Sequence, residues 1–293
     1  RRIIFQGTKA VGVEVESGDE VFVVEGEEIL LTSGAMKSPQ ILMLSGVGSA
    51  DHLEEFNIPV VKDLPGVGQN LRDHPLATVV YKAKGKAPGV DVPLIQVCTR
   101  YTSEGSHLKS DMIISPTLMT SEHRPTQVDI DDGDNYLGIS AGVQLAVGSG
   151  ELRLKSADPN DPPYLDYNYL QEEFDRDRLR KGIRKVVELE NHPAIRELIV
   201  ERITPTDEEL ASDEALDIWL LKYTGTSHHI SCTCKMGPAD DRMAVVDQHG
   251  KIHGLQGIRV VDASIMPDCI RANTNATTIM IAEKIADYVV QGI

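Results

Sequence analysis

The residues of this sequence that are best suited to chemistry form a cluster of histidines and cysteines at positions 228–234, with the sequence HHISCTC. Imidazole and thiolate groups are common ligands of zinc. A closed zinc site usually draws on a second pair of ligands with C-x₂-C spacing, and the other two cysteines, Cys98 and Cys269, each stand alone. We therefore expect no metal site, and we expect the cysteines to pack as small apolar side chains.

His229 is the candidate catalytic residue within this cluster. Its imidazole, with an ordinary pKa of about 6.5, can accept or release a proton near neutral pH without strong tuning. A histidine that only fills the interior of the protein would give the same local sequence. The residue type alone therefore leaves a catalytic role and a structural role open.

A second candidate site lies where the last predicted helix begins. Asn275-Ala276-Thr277-Thr278 precedes apolar positions that recur at helical spacing as far as Val289. The unpaired N–H groups and the partial positive charge of a helix N-terminus can hold an anionic or electron-rich ligand. Simple capping of the helix explains the same polar residues, so this segment alone does not decide between binding and capping.

The elements that must position these residues follow from the hydrophobic pattern. Short β-branched runs separated by glycine turns over residues 3–24 predict an antiparallel meander. The apolar run at 28–32 predicts a buried strand, which leads into a helix with Ser38 at its N-cap and Pro39 at its first position. Charged helices with one apolar face are also predicted over residues 175–190 and 207–223.

The composition excludes several classes of protein. The chain has 293 residues, of which 41% are hydrophobic, as is typical of a folded globular protein rather than a disordered one. Its 29 basic and 45 acidic side chains give a net charge of −16, which disfavours a nucleic-acid partner because phosphates would be repelled. No apolar run is long enough to cross a membrane, and no Gly-x-Ser-x-Gly elbow supports acyl transfer.

Five segments of the sequence together resemble the glucose-methanol-choline (GMC) family of flavin oxidoreductases. The most specific is GAMKSPQILMLSGVG at residues 34–48, which resembles the second signature of that family at every constrained position. The block LPGVGQNLRDHP at residues 64–75 resembles the next recurrent block. The remaining segments that are similar to family blocks lie at residues 150–170, 229–237 and 260–275. The resemblance therefore covers nearly the whole chain.

The resemblance implies an α/β fold with two domains. Residues 1–70 and 226–293 would form the C-terminal part of a Rossmann-like FAD-binding domain. Residues 71–225 would form an inserted substrate-binding domain, built on an antiparallel sheet flanked by helices.

The N-terminal half of the family pattern is not found in this sequence. Gly46-Val47-Gly48 and Gly66-Val67-Gly68 each lack the third glycine and the later acidic residue that a dinucleotide-binding fingerprint requires. The resemblance therefore implies that this chain is the C-terminal portion of a longer enzyme, completed by a companion chain or else separately encoded or truncated. We expect the chain alone to bind FAD poorly.

The resemblance also implies the chemistry. His229 matches the position of the family's catalytic histidine, which accepts the hydroxyl proton of an alcohol while the carbon-bound hydrogen leaves as hydride to flavin N5. Asn273 matches a second position, filled by His or Asn, and is expected to donate a hydrogen bond to the substrate oxygen. Because an amide cannot exchange a proton here, His229 would act as the principal base.

Further residues match positions that contact the cofactor. The resemblance implies that the backbone of His228 lies against the flavin ring. It implies that Asp262 and Ala263 lie beside the diphosphate and ribityl region. It also places Asn275, Ala276 and Thr277 beside the pyrimidine carbonyl. Two positions depart from the family pattern, since Cys232 stands where glycine is common and Thr277 stands where proline is common.

Two other functions stay open on this evidence. Some members of the family cleave cyanohydrins without net redox change, so a lyase on the same scaffold is one alternative. The other is a non-catalytic subunit that keeps the fold and uses its acidic surface to bind a partner. The presence of both His229 and Asn273 argues against this last function. No residue of the middle region identifies the alcohol substrate or the electron acceptor.

Overall fold

A computed structural model describes residues 1–85, 93, 95, 97–119 and 135–293 of the chain. The chain divides into two units. Unit 1 comprises Arg1–Asp73, Ser149–Asn168 and His228–Ile293, and unit 2 comprises His74–Gly148 and Tyr169–Ser227.

Strands and helices are numbered in chain order. The strands are β1 (Arg2–Gln6), β2 (Lys9–Ser17), β3 (Glu20–Glu25), β4 (Ile29–Leu31), β5 (Val47–Gly48), β6 (Lys62–Asp63), β7 (Gln69–Leu71), β8 (Pro75–Ala83), β9 (Thr99–Tyr101), β10 (Met112–Met119), β11 (Tyr136–Val143), β12 (Gly150–Arg153), β13 (Tyr164–Asp166), β14 (Ile199–Thr204), β15 (Gly225–Thr226) and β16 (Ile258–Val260). The helices are α1 (Gly34–Leu44), α2 (Ala50–Glu55), α3 (Glu173–Leu189), α4 (Pro193–Arg196), α5 (Asp207–Leu210), α6 (Asp213–Tyr223) and α7 (Thr274–Val290), and a short 3₁₀ helix, Ala263–Ile265, follows β16. Within the described residues, no helix has the length and apolar character needed to span a membrane.

The predicted antiparallel meander is confirmed as the first sheet of unit 1. β1, β2 and β3 are hydrogen-bonded in that order, with Ile3 opposite Val13 in the first pair. The turns between these strands place Gly7 and Gly18 at φ angles of +61° and +60°, which glycine adopts readily because it has no Cβ.

A parallel pair of short strands leads into two segments of unit 1 that contain candidate site residues. β4 and β16 lie side by side, with Leu31 opposite Val260, although they are far apart in the sequence. Parallel strands end in the same direction, so the segments that follow them begin at the same edge of the sheet. β4 leads into α1, and β16 leads to Asp262. Leu31 and Val260 themselves are buried in the main apolar core of the unit.

The prediction that Ser38 caps the first helix is wrong, because α1 begins at Gly34 and Ser38 lies inside it. The Ser38 hydroxyl donates to Asp262 Oδ2 at 2.5 Å and accepts the backbone N–H of Ser33 at 3.1 Å. The Ser38 hydroxyl, to which the local pattern assigns a capping role, therefore binds a carboxylate that is distant in the sequence.

Pro39 inside α1 frees a backbone acceptor. Proline has no N–H, so the carbonyl of Ala35, four residues earlier, receives no helical hydrogen bond from position 39. The hydroxyl of Thr233, which is fully buried, donates to this carbonyl over 2.7 Å. The Ala35 carbonyl, which proline leaves without a helical donor, therefore anchors the segment that follows His229 by accepting the Thr233 hydroxyl.

Unit 2 is built on the predicted antiparallel sheet flanked by helices. Its strands follow the order β14-β8-β11-β10-β9, and β15 also pairs with β8. Helix α3 packs against β8, β10 and β11, and α6 packs against α3 and β8. Leu179 and Ile183 of α3 and Trp219 of α6 are buried in the core between these layers.

The charged helix predicted over residues 175–190 is confirmed as α3, but the one predicted over 207–223 is interrupted between α5 and α6. Ser212 lies in the interruption, and its hydroxyl accepts the Ala215 N–H at 3.1 Å, which caps a new helix. The hydrophobic pattern continues across this cap, so periodicity alone predicts a single helix.

The structure differs from the predicted domain boundaries in one segment. Ser149–Asn168 falls inside the range 71–225 predicted for the substrate-binding domain, but it belongs to unit 1. β12 pairs with β7 through Glu151 and Gln69, and β13 pairs with β12. These strand pairs attach the segment to unit 1. The assignment of the two units to FAD binding and substrate binding stays a prediction.

The anchor between Thr233 and Ala35 predicts a change in stability. Thr233→Val keeps the shape of the side chain but removes the hydroxyl, which leaves the buried Ala35 carbonyl without this donor. We expect the free energy of unfolding, measured by urea denaturation, to fall by about 1–3 kcal/mol. Thr233→Ser retains the hydroxyl and is the matched control, which should lose less.

Pro39→Ala provides a second control for this anchor, because alanine restores a helical N–H for the Ala35 carbonyl. Thr233→Val should therefore cost less in a Pro39→Ala background than in the wild-type background. Equal costs in the two backgrounds would show that the hydroxyl does not satisfy this carbonyl.

Candidate active site

Residues 231–236 form a segment whose backbone is hydrogen-bonded on two sides. On one side, Ser231 exchanges two backbone hydrogen bonds with Arg72, at 2.9 and 3.0 Å, and the Thr233 carbonyl accepts the Gly68 N–H at 2.8 Å. On the other side, three N–H groups donate over 2.9–3.1 Å to consecutive carbonyls, from Cys232 to Ala263, from Cys234 to Ser264 and from Met236 to Ile265. The two C-terminal segments of the family resemblance are thus joined by their backbones.

His229 and Asn273, the two predicted catalytic residues, are brought together. Asn273 Nδ2 lies 3.2 Å from His229 Nε2. An amide nitrogen can only donate, so Nε2 of the imidazole accepts and carries a lone pair. A general base needs this protonation state. His229 is half-buried and Asn273 is exposed, so the pair lies at a surface of unit 1.

Asn273 does not cap α7, although it directly precedes the first residue of that helix. Its side chain makes no capping hydrogen bond and contacts His229 instead. The first N–H groups of a helix have no partner within the helix. Asn275 and Ala276 of this first turn are exposed, and Thr277 is half-buried. The 17-residue helix therefore offers N–H donors and a partial positive charge beside Asn273, which fits an electron-rich ligand.

The carboxylate of Asp262 is occupied by hydrogen bonds within the chain. Oδ1 accepts the Ser264 N–H at 2.8 Å, and Oδ2 accepts the Gly34 N–H at 2.9 Å together with the Ser38 hydroxyl. The residue is only 5% exposed. Contact between a cofactor and Asp262 or Ala263 would therefore involve the backbone, which is the contact that the family resemblance implies.

Burial of the His229 imidazole lowers its pKa below the ordinary value of 6.5. The carboxylate of Asp73 raises the pKa and opposes this effect, whereas positive charge on His228 lowers it further. Asp73 also contacts His229 directly, because its Oδ1 accepts the backbone N–H of His229 at 3.0 Å. The lowered pKa keeps the imidazole mainly neutral at pH 7, ready to accept a proton.

Cys232 and Cys234, the cysteines of segment 231–236, are buried thiols. Burial raises the pKa of Cys232 to about 12 and also raises the pKa of Cys234. Both thiols therefore stay protonated near neutral pH, whereas metal binding requires the thiolate. Cys234 packs in the apolar core of unit 1. In the part of the chain that the structure describes, no three His, Cys, Asp or Glu side chains are grouped so that they could hold a metal ion.

Two residues close to His229, the candidate catalytic residue, have backbone angles in the left-handed region. The φ angle is +61° at His228 and +72° at Cys232. For a residue with a Cβ, this conformation costs about 1–2 kcal/mol relative to ordinary backbone. Cys232 stands where the family resemblance expects glycine, and the positive φ gives a physical reason for glycine at that position.

Three residues that hold the site together are not assigned to it by the sequence-based predictions, which give Ser38 only a capping role. They are Asp73, which accepts the N–H of His229, Thr233, which donates to Ala35, and Ser38, which donates to Asp262. Asp73 lies in the block at 64–75, and its place in that block is the signal that could have pointed to it. For the other two, nothing near them in the sequence identifies the partner.

Known proteins resemble this chain in sequence and in fold. Two family models described as GMC oxidoreductase match residues 1–76 and 146–282, and the second range contains every predicted site residue. An oxygen-dependent choline dehydrogenase from Escherichia coli (strain UMN026) is 39% identical over 318 aligned residues, which cover 98% of this chain and 55% of the relative. The chain thus spans about half the length of the curated relatives it matches.

Solved structures share the fold. The crystal structure of pyridoxine 4-oxidase from Mesorbium loti aligns with a TM-score of 0.88 at 24% sequence identity, over 98% of this chain and 56% of that chain. A formate oxidase aligns with a TM-score of 0.89 at 22% identity, over 98% of this chain and 58% of that chain. These likenesses confirm the predicted fold class.

The prediction of a companion chain is not supported by these relatives. In the choline dehydrogenase, the region similar to this chain makes up 55% of one polypeptide rather than a separate subunit. The relatives therefore give no reason to divide the active site between two chains.

The left-handed backbone at Cys232 predicts the order of stability of two variants. Cys232→Gly removes both the thiol and the conformational cost, whereas Cys232→Ala removes only the thiol. We expect the glycine variant to be more stable than the alanine variant by about 1 kcal/mol, as measured by urea denaturation.

Cys234 supplies the matched control, because it is also fully buried but its φ is not positive. At that position the glycine variant should be less stable than the alanine variant by about 0.5–1 kcal/mol. If alanine is the more stable replacement at both positions, the backbone at Cys232 is not strained.

Proposed function

This chain belongs to the GMC oxidoreductase family, and on that premise we propose that it provides the active site of an enzyme that oxidises the CH–OH group of a small-molecule alcohol. The cofactor of this flavoprotein family is FAD. Side chains of this chain would transfer the proton, and backbone groups that lie beside them would bind FAD.

The observation that carries the proposal is the contact of 3.2 Å between His229 Nε2 and Asn273 Nδ2. It places a base next to a hydrogen-bond donor, so an alcohol oxygen that takes the place of this contact can reach both groups. The hydroxyl would donate its hydrogen to Nε2 and accept the N–H of Asn273. A pair of this kind suits an oxygen that becomes negative as it loses its proton.

Several backbone groups of unit 1 would hold the cofactor. FAD, when bound, supplies the acceptor for the hydride that leaves the alcohol carbon. The groups that would bind it belong to His228, Asp262 and Ala263 and to the first turn of α7, at Asn275, Ala276 and Thr277. The N–H groups and the positive end of α7 would stabilise negative charge on an electron-rich ligand.

The proton follows a short path in this mechanism. It moves from the alcohol oxygen to Nε2 of His229, and the Asn273 amide stabilises the negative charge that develops on the oxygen. Loss of this proton and of one hydride from the carbon converts the alcohol to a carbonyl compound. Because burial lowers the pKa of His229, the imidazole is already neutral at pH 7 and needs no prior deprotonation.

Choline is the first donor to test. The support for it is the 39% identity to a protein named as a choline dehydrogenase. The match covers 98% of this chain, including the segments that contain His229 and Asn273. Other small alcohols belong in the same assay, because the proposal concerns the CH–OH group rather than one compound.

Replacement of His229 tests the proposed base. In the FAD-loaded enzyme that contains this chain, His229→Ala should lower the rate of flavin reduction by alcohol about 100-fold or more, measured anaerobically as loss of flavin absorbance. Asn273→Ala should cause a smaller loss, since it removes one hydrogen bond to the oxygen. His192→Ala, at an exposed histidine of unit 2, is the control and should leave the rate unchanged.

Each other outcome of this assay has a distinct meaning. A near-normal rate in His229→Ala would remove His229 from the mechanism. Release of an aldehyde from a cyanohydrin, without flavin bleaching by any alcohol, would indicate the lyase. Bound FAD that is neither bleached nor needed for any product would indicate the non-catalytic subunit.

A further inference from the structure

The side chain of Asn70 uses both ends of its amide within unit 1. Its Oδ1 accepts the Nε–H of Arg72 at 3.1 Å, and its Nδ2 donates to the backbone carbonyl of Pro267 at 3.4 Å. The second contact reaches a residue that lies 197 positions further along the chain. Asn70 therefore joins the end of β7 to the segment that leads to α7.

This amide lies between the two segments that contain the candidate catalytic residues. Arg72 holds the first segment, because it exchanges two backbone hydrogen bonds with Ser231, at 2.9 and 3.0 Å, and Ser231 closely follows His229. Pro267 belongs to the second segment and precedes Asn273 by less than two helical turns of sequence. The bridging amide therefore affects how the two segments lie relative to each other.

Two further contacts connect the same parts of the chain. Asp268 Oδ1 lies 3.5 Å from Arg72 Nε, and Cys269 Sγ donates to the Asp73 carbonyl at 3.9 Å. The Asp268 side chain is 69% exposed, so its ion pair contributes little, and a thiol is a weak donor. The amide of Asn70 is half-buried and binds a backbone carbonyl, so it restricts the backbone itself rather than a mobile side chain.

An amide matches the chemistry of both partners. Arg72 offers an N–H donor and Pro267 offers a carbonyl acceptor, so the bridging side chain must accept at one end and donate at the other. An ionised aspartate would accept at both ends, and an apolar side chain would do neither. Asn70 also has a φ angle of +57°, in the left-handed region that asparagine tolerates better than most residues.

We propose that Asn70 is a positioning residue that sets where Asn273 lies relative to His229. Its amide does so by tying Pro267 to Arg72. If Asn273 were displaced, its N–H would no longer meet the substrate oxygen together with Nε2 of His229, and small displacements of such groups lower reaction rates strongly. This role rests on the proposed function, since it requires the two residues to act on one oxygen.

Asn70→Asp tests the proposal with little change in size. The carboxylate can still accept the Arg72 N–H, but it cannot donate to Pro267. In the FAD-loaded enzyme that contains this chain, flavin reduction by saturating alcohol should slow about 10-fold, measured anaerobically as loss of flavin absorbance. A rate near that of the wild type would overturn the proposal. Asn70→Ala removes the same donor without adding a charge, and it replaces Asn70→Asp if that variant does not fold.

A double-mutant cycle distinguishes positioning from general support of the fold. In an Asn273→Ala enzyme, Asn70→Asp should slow the reaction by less than about 2-fold, because no amide is left to be misplaced. Gln69→Ala is the matched control, since it removes the neighbouring amide, whose Nε2 donates to Glu151 at 2.9 Å. It should leave the rate unchanged. An equal loss from Asn70→Asp in both backgrounds would show a merely structural role.

The ¹⁵N NMR signal of the Asn273 side chain provides a readout that needs no substrate. In the FAD-loaded enzyme labelled at asparagine, this signal is assigned by its loss in Asn273→Ala. It should shift in Asn70→Asp, because the contact between Asn273 Nδ2 and His229 Nε2 changes, and it should stay in place in Gln69→Ala.

The rate and the NMR signal together separate this inference from the proposed function. A shifted signal in Asn70→Asp, with no alcohol oxidised by the wild-type enzyme, would refute the proposed function and leave the effect of Asn70 on Asn273 standing. Oxidation of an alcohol, with an unchanged signal in the variant, would refute the role of Asn70 alone.

Discussion

The candidate site depends on the segment 231–236, whose backbone hydrogen bonds alternate between two other parts of unit 1. One side of the segment pairs with the chain around Arg72, and the other side pairs with the 3₁₀ helix that follows β16. This alternation gives partners to backbone donors and acceptors that burial would otherwise leave unsatisfied. His229 lies two residues before this segment, so the backbone contacts of three segments that are distant in the sequence restrict its position.

Several features of the site are unfavourable by themselves and persist because the surrounding structure holds them. Pro39 interrupts the hydrogen bonding of α1, and Thr233 supplies the missing donor. Cys232 has a left-handed backbone, and its N–H is held by the carbonyl of Ala263. Asp262 is a buried carboxylate that accepts hydrogen bonds from three groups. These arrangements restrict the backbone near His229, as a site that must hold reacting groups in place requires.

The side chain of Asn273 links the start of α7 to the candidate base His229. Asparagine in the position before a helix commonly caps it, yet this amide contacts the imidazole of His229 instead. The choice has two consequences. It places the amide donor beside Nε2, so that a substrate oxygen at this position would contact both groups, and it leaves the first N–H groups of α7 available to a ligand. A base, a donor to oxygen and a helix N-terminus thus meet within unit 1.

The sequence by itself determined the local elements and the residue types at the site. Alternation and helical periodicity predicted the meander and α3, and the family resemblance predicted the pairing of His229 with Asn273. Periodicity could not predict that Ser38 lies inside α1, nor that residues 149–168 join unit 1. Only the tertiary structure decided these two points, and only the tertiary structure shows that Asp73 accepts the backbone N–H of His229. The reason is physical: each depends on a hydrogen bond or strand pair with residues far away in the sequence, and a local pattern contains no information about such a partner.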